Sequence, residues 1–90
     1  MYFEWDEEKA EANLLKHGVS FDTVRLFEWE ITVTLLDDRQ LYGERRWVSV
    51  GSIGSRLYKI AYVVRGNRIR LISAHKANRR DQRKYHERRK

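Results

Sequence analysis

Ninety residues suffice for one domain, and a chain this short buries only about two thirds of its unfolded surface, so modest stability is expected. The absence of cysteine and proline excludes a disulfide framework, a thiolate nucleophile, a cysteine-based zinc site and a cis-proline turn, and fits a reducing cytoplasm. The 41% hydrophobic share, with three Trp, five Tyr and three Phe, excludes a disordered chain despite a formal charge of +6.

That charge is unevenly distributed. Residues 1–13 carry Glu4, Asp6, Glu7, Glu8 and Glu11 against Lys9, whereas residues 65–90 carry eleven Lys and Arg against Asp81 and Glu87. A basic half of this kind attracts nucleic acid through counterion release, although the plainer reading is a solvated face that keeps the chain soluble. The opening MYFEWDEEKA lacks the cationic start and apolar core of a signal peptide. No apolar run nears the ~20 residues of a membrane span, so neither export by that route nor a membrane partner is expected.

Residues 6–17 read as a helix with Asp6 as N-cap, Glu7 and Glu8 at the positive end of the dipole, Lys16 and His17 at the negative end, and Gly18 as the stop. Its amphipathic period is poor, because Leu14 and Leu15 flank acidic positions. Ser20 caps a second short helix through Phe27, with Val19 and Val24 as a hydrophobic staple and Phe21, Val24 and Phe27 directed to the core. From Ile31 the pattern turns to strands. ITVTLLD is followed by a polar DDRQLYGE turn, then RRWVSVG, RLYKIAYVV and RIRLISA, with connections short enough for antiparallel pairing.

The Arg65-Gly66-Asn67-Arg68 junction predicts a tight hairpin between strands 56–65 and 68–74. Alternation puts Leu57, Ala61 and Val63 on one face and Tyr58, Ile60, Tyr62 and Val64 on the other; Arg68, Arg70 and Ile72 alternate with Ile69, Leu71 and Ser73. Asn78, with Asp81 three residues on, caps a third helix whose sole large apolar residue is Tyr85, so without a partner that helix is expected to fray. The predicted class is α+β, a small antiparallel sheet with N-terminal helices and a C-terminal helix, in one domain over 1–90.

Three stretches, FEWDEEKAEANLLKHGVSFD, GERR and RGNRIRLISAHKANRRDQRKYH, together with Asp6, Lys9, Asn13, Lys16, His17, Gly18 and Val19, resemble the BrnT toxins in order and spacing over nearly the whole chain. The resemblance implies a RelE-like fold, ribonuclease activity that inhibits translation and growth, and a BrnA-type antitoxin that binds the toxin and represses their shared promoter as an operator-bound complex. One position departs: the family commonly has Arg before the Lys of its closing strand motif, where this chain has His75 in SAHKA. Neutral imidazole predominates at pH 7, so His75 is a weaker cation for phosphate.

RNA is cut without metal or cofactor when its 2′-hydroxyl attacks the adjacent phosphate, which requires a base, cations for the phosphorane charge and an acid for the leaving oxygen. The candidates for that chemistry are His17, Glu44, Arg70, Lys76 and Tyr85. Lys9, Asn13, Lys16 and His17 share about 100° of helical arc, and His17 is the first choice for proton transfer, unless it and Lys16 only cap the helix. Arg65, Arg70 and Lys76 lie along the hairpin strands as a possible phosphate clamp or as an ordinary solvated face.

Glu44, beside Arg45 and Arg46, is either a general base raised by burial or an arginine's ion-pair partner. Tyr85 either stacks on RNA or anchors its helix. Arg68, His75, Arg79, Arg80 and Arg83 complete the RNA-binding candidates with Lys9, Asn13, Lys16, Arg45, Arg46 and Arg65. His17, His75 and His86 are not expected to form a close ligand pair, so no metal is expected. Trp5, Trp29 and Trp47 read as core or rim packing, with Trp29 exposed near the antitoxin. Two rival functions stay open: a basic module that coats nucleic acid without turnover, and an interaction subunit that serves operator binding. An antitoxin is expected to cover the basic surface with an acidic or amphipathic segment.

Overall fold

The computed structural model describes residues 2–37 and 43–89. In chain order they form β1 (Tyr2–Glu4), α1 (Glu7–His17), 3-10 segments at Phe21–Leu26 and Trp29–Ile31, β2 (Val33–Asp37), β3 (Arg46–Ile53), β4 (Arg56–Arg65), β5 (Arg68–Lys76) and α2 (Arg79–Arg88). The sheet order is β1-β5-β4-β3-β2, antiparallel throughout except for β1, which runs parallel to β5. The α+β class is as the sequence indicated. The DDRQLYGE turn falls largely on residues 38–42, outside the described residues.

Capping chemistry sets the helices. Asp6 accepts from the Glu8 amide at 2.8 Å, and Gly18 ends α1 in the left-handed region at φ 70°, its N–H bonded to the Leu14 carbonyl. Ser20 caps the next segment by accepting from the Asp22 amide, but that segment winds as a 3-10 helix. A second 3-10 turn takes Trp29–Ile31, so β2 begins at Val33 and not at Ile31.

Two cores line the two faces of the sheet. On one, Val19, Phe21, Val24 and Phe27 pack on Ile60, Tyr62, Ile69, Leu71 and Ala74, with Trp5, Trp29 and Trp47 partly buried around them. Each fully buried side chain such as Phe21 or Ile60 contributes roughly 1.5–3 kcal/mol. Trp29 stacks on Phe3 at 5.9 Å and meets Tyr62 edge-on at 5.3 Å, which corrects its expected exposure: it is a core-rim residue. Ser49, fully buried, is satisfied by the hydroxyls of Tyr62 (2.6 Å) and Thr34 (2.7 Å).

On the other face Val50, Ala77 and Tyr85 gather with Val33 and Leu57 under α2. The C-terminal helix therefore has a partner, so the condition under which it was expected to fray is not met. Its capping box forms between Asn78 and Asp81, Lys59 reaches Asp81 at 3.1 Å, and the Tyr85 hydroxyl donates to the Ile31 carbonyl at 3.2 Å.

The expected hairpin forms with Arg65 opposite Arg68, but the register shifts between Ala61 and Tyr62. Tyr62 pairs with Leu71 and Ala61 with Ser73, so Ile72 is an extra residue. Beyond it the faces swap: Ser73 and His75 join the face of Arg70, and Ala74 joins Leu71 in the core, which corrects the simple alternation read from the sequence.

Candidate functional site

The first cluster grows from an edge left open by a short strand. β1 pairs only with Arg68, Ile69 and Arg70, so the outer edge of β5 lacks a strand neighbour further on. Asn13 of α1 takes that place: its Nδ2 donates to the Ala74 carbonyl (2.8 Å) and the Val19 carbonyl (2.9 Å), and its Oδ1 accepts from the Ala74 amide (3.1 Å). Buried and committed to the fold, Asn13 holds α1 against the sheet, and its expected contact with RNA is corrected to this structural role.

With Asn13 fixed at its floor, Lys9, Lys16 and His17 line a shallow cleft of about 270 Å³ that Ala12, Asn13, Ile72 and Ser73 complete. The His17 ring lies 4.9 Å from that of His75, tilted by 35°. These two do form a close pair, contrary to the sequence reading, because residues far apart in the chain meet where α1 crosses the β5 edge. Among the described residues no third His, Cys, Asp or Glu joins them in a metal-binding group.

His75 Nδ1 lies 2.9 Å from the Lys76 carbonyl, which can only accept, so Nδ1 donates and Nε2 is the ring nitrogen left for a substrate. The pKa of His17 is lowered below 6.5, first by partial desolvation and then by the neighbouring His75 and Lys16. His17 is therefore neutral at pH 7 and able to accept a proton, with lysines beside it to meet negative charge.

The second cluster sits at the hairpin end. Glu44 grips Arg65 with both oxygens, at 2.7 and 3.3 Å, in the open. Its carboxyl is held below the ordinary value, chiefly by the Arg65 hydrogen bond, which outweighs the opposing desolvation, and further by the charges of Arg65, Arg46 and Arg70. Arg65 is raised by the same bond. Glu4 lies 3.7 Å from Arg68 and 3.9 Å from Arg70, so the two glutamates at the hairpin end are both set against arginines. Glu44 is thus an ion-pair carboxylate, which corrects the reading of a base raised by burial. Glu4 was not anticipated, and a three-residue strand gives no periodic signal by which to find it.

These clusters are separate. Four strand residues separate Arg70 from His75, five steps or about 16 Å at a strand's rise, so the candidates do not converge on one centre. Tyr85, buried against the sheet and bonded to the Ile31 carbonyl, is the anchor of α2 and not a group at the cleft. Lys76 ends β5 exposed, Arg45 is exposed before β3, and Arg79, Arg80 and Arg83 form an exposed cationic surface on α2.

The cleft joins histidine and lysine at an open surface, and the hairpin adds a cationic run suited to a polyanion. A family model described as the BrnT ribonuclease toxin of type II toxin-antitoxin systems matches residues 5–81, which takes in α1, the whole β2–β5 sheet and the start of α2. No individual curated protein matches the chain. Reaching over most of the 90 residues, the family match makes this chain a member of the BrnT ribonuclease toxins of type II toxin-antitoxin systems.

Proposed function

We propose that this chain is a cytoplasmic endoribonuclease that cleaves RNA without a metal ion, arrests translation and growth, and is neutralised by a BrnA-type antitoxin, with which it binds operator DNA. The carrying observation is the His17–His75 pair, 4.9 Å apart beside Lys9 and Lys16, with His17 kept neutral. In this reading His17 takes the proton of a ribose 2′-hydroxyl as the 2′-oxygen attacks the adjacent phosphorus. The bond from phosphorus to the 5′-oxygen breaks, and that oxygen takes a proton from Nε2 of the His75 imidazolium, whose Nδ1 stays bonded to the Lys76 carbonyl. The products are a 2′,3′-cyclic phosphate and a 5′-hydroxyl. Lys9 and Lys16 offset the charge gathering on the phosphoryl oxygens. Arg70, Arg65, Arg46 and Arg68 hold phosphates further along the strand, as do the exposed Arg45, Lys76, Arg79, Arg80 and Arg83, and bidentate arginine geometry suits that task.

The test is incubation of purified, antitoxin-free protein with end-labelled RNA in EDTA, followed by analysis of fragment ends. Cyclic phosphate ends are expected, and His17→Gln should lower the rate about 100-fold, the usual worth of a positioned proton acceptor. Cleavage that needs added metal, or that survives His17→Gln undiminished, refutes the mechanism. RNA that stays intact but shifts on a gel supports the non-catalytic binding module instead.

A further inference from the structure

Helix α1 carries two chemistries. At 100° per residue, Lys9, Asn13, Lys16 and His17 gather toward β5, while Glu7, Ala10, Glu11 and Leu14 gather on a face centred roughly 120° away. That second face walls a groove of about 210 Å³ whose other lining residues are Trp5, Ser20, Phe21 and Asp22. Its floor is aromatic and its rim is Glu7, Glu11 and Asp22.

The poor amphipathic period of α1 has its explanation here. Leu14 is 50% exposed, Leu15 beside it 89%, and Leu26 at the end of the neighbouring 3-10 segment 68%. These leucines serve neither core, and Leu14, a large apolar side chain half exposed in the wall of an acid-rimmed groove, marks a protein contact. Carboxylates at the rim repel RNA, so the substrate does not use it. Cations fit: the Arg25 guanidinium already lies 5.7 Å from the Trp5 ring, with its Nε 3.5 Å from Asp22.

We propose that this groove is the docking site of the antitoxin, filled by a cationic amphipathic segment. An apolar anchor of that segment seats against Leu14 and Phe21, and its Lys or Arg side chains pair with Glu7, Glu11 and Asp22. The proposal rests on the reading of this chain as a toxin with a protein antitoxin, and it differs from coverage of the basic surface by an acidic segment. Recognition then occupies one face of α1 and the Lys9–Lys16–His17 cleft another.

The experiment titrates the full chain with a purified BrnA-type antitoxin and measures RNA cleavage on the same preparations. Glu7→Lys combined with Glu11→Lys should weaken antitoxin binding at least tenfold, mainly through slower association, and abolish the loss of affinity with salt seen for the unaltered chain. Leu14→Ser should weaken it without changing the salt dependence. RNA cleavage should persist in both. Unchanged or tighter antitoxin binding by the double variant overturns the proposal. Loss of cleavage by the unaltered chain would instead strike the ribonuclease reading, leaving antitoxin affinity to judge the groove. Should the double variant misfold by circular dichroism, Glu11→Gln, a neutral change at an exposed position, gives the same comparison with a smaller expected loss of two- to threefold.

Discussion

Replacing Asn13 by alanine separates a structural amide from an RNA contact. The side chain makes three hydrogen bonds in a buried setting, two to carbonyls and one from an amide. Alanine leaves the carbonyls of Val19 and Ala74 and the Ala74 N–H without that partner, at about 1–3 kcal/mol for each group that water does not reach. Alanine's better helix propensity returns roughly 0.6 kcal/mol, and water entering beside the β5 edge relieves part of the rest. The net expectation is a loss of about 3 kcal/mol, or roughly 12–24 °C in Tm for a domain of this size. Urea unfolding followed by tryptophan fluorescence measures it, since Trp5 packs edge-on to Phe21 in the core that α1 covers. A loss under about 1 kcal/mol at unchanged m-value, with weaker RNA binding in the folded protein, would refute the assignment and return Asn13 to the binding surface.

Further outcomes follow from single sites. Gly51→Ala places a Cβ 2.6 Å from Thr32 Cγ2 and 2.8 Å from Phe27 Cζ, and should destabilise by about 1–3 kcal/mol on chemical denaturation. Because the folded pKa of His17 is lowered, the unfolded chain binds its proton first as pH falls. The His17 contribution to stability is therefore intact above about 6.5 and is lost as pH drops from there through the folded value, visible in Tm against pH. The acid limb of kcat/KM should likewise lie below 6.5, and His75→Gln should move it upward by removing one of the two charges that depress His17. Arg70→Ala should weaken RNA binding and flatten the slope of log K against log salt by somewhat under one, whereas Glu44→Gln, which releases Arg65 from its carboxylate, should not weaken RNA binding.

The sequence by itself determined what depends on neighbours a few residues away. Asp6, Ser20 and Asn78 were legible as caps because a cap bonds within three residues, Gly18 as a stop because it takes a positive φ, and the 65–68 junction as a hairpin because its turn fixes the register locally. The tertiary structure decided everything that depends on a distant partner. Tyr2–Glu4 becomes a strand only because β5 offers an edge beside it, and the extra residue at Ile72 turns His75 to the other side of its strand. Asn13 reads as one more polar residue on a charged helix until Ala74, 61 positions on, supplies its partners. The same crossing of α1 over the β5 edge sets His17 against His75 and leaves Leu14 and Leu15 facing outward. Helical spacing says which residues share a face; what that face meets is fixed by packing between elements far apart in the chain.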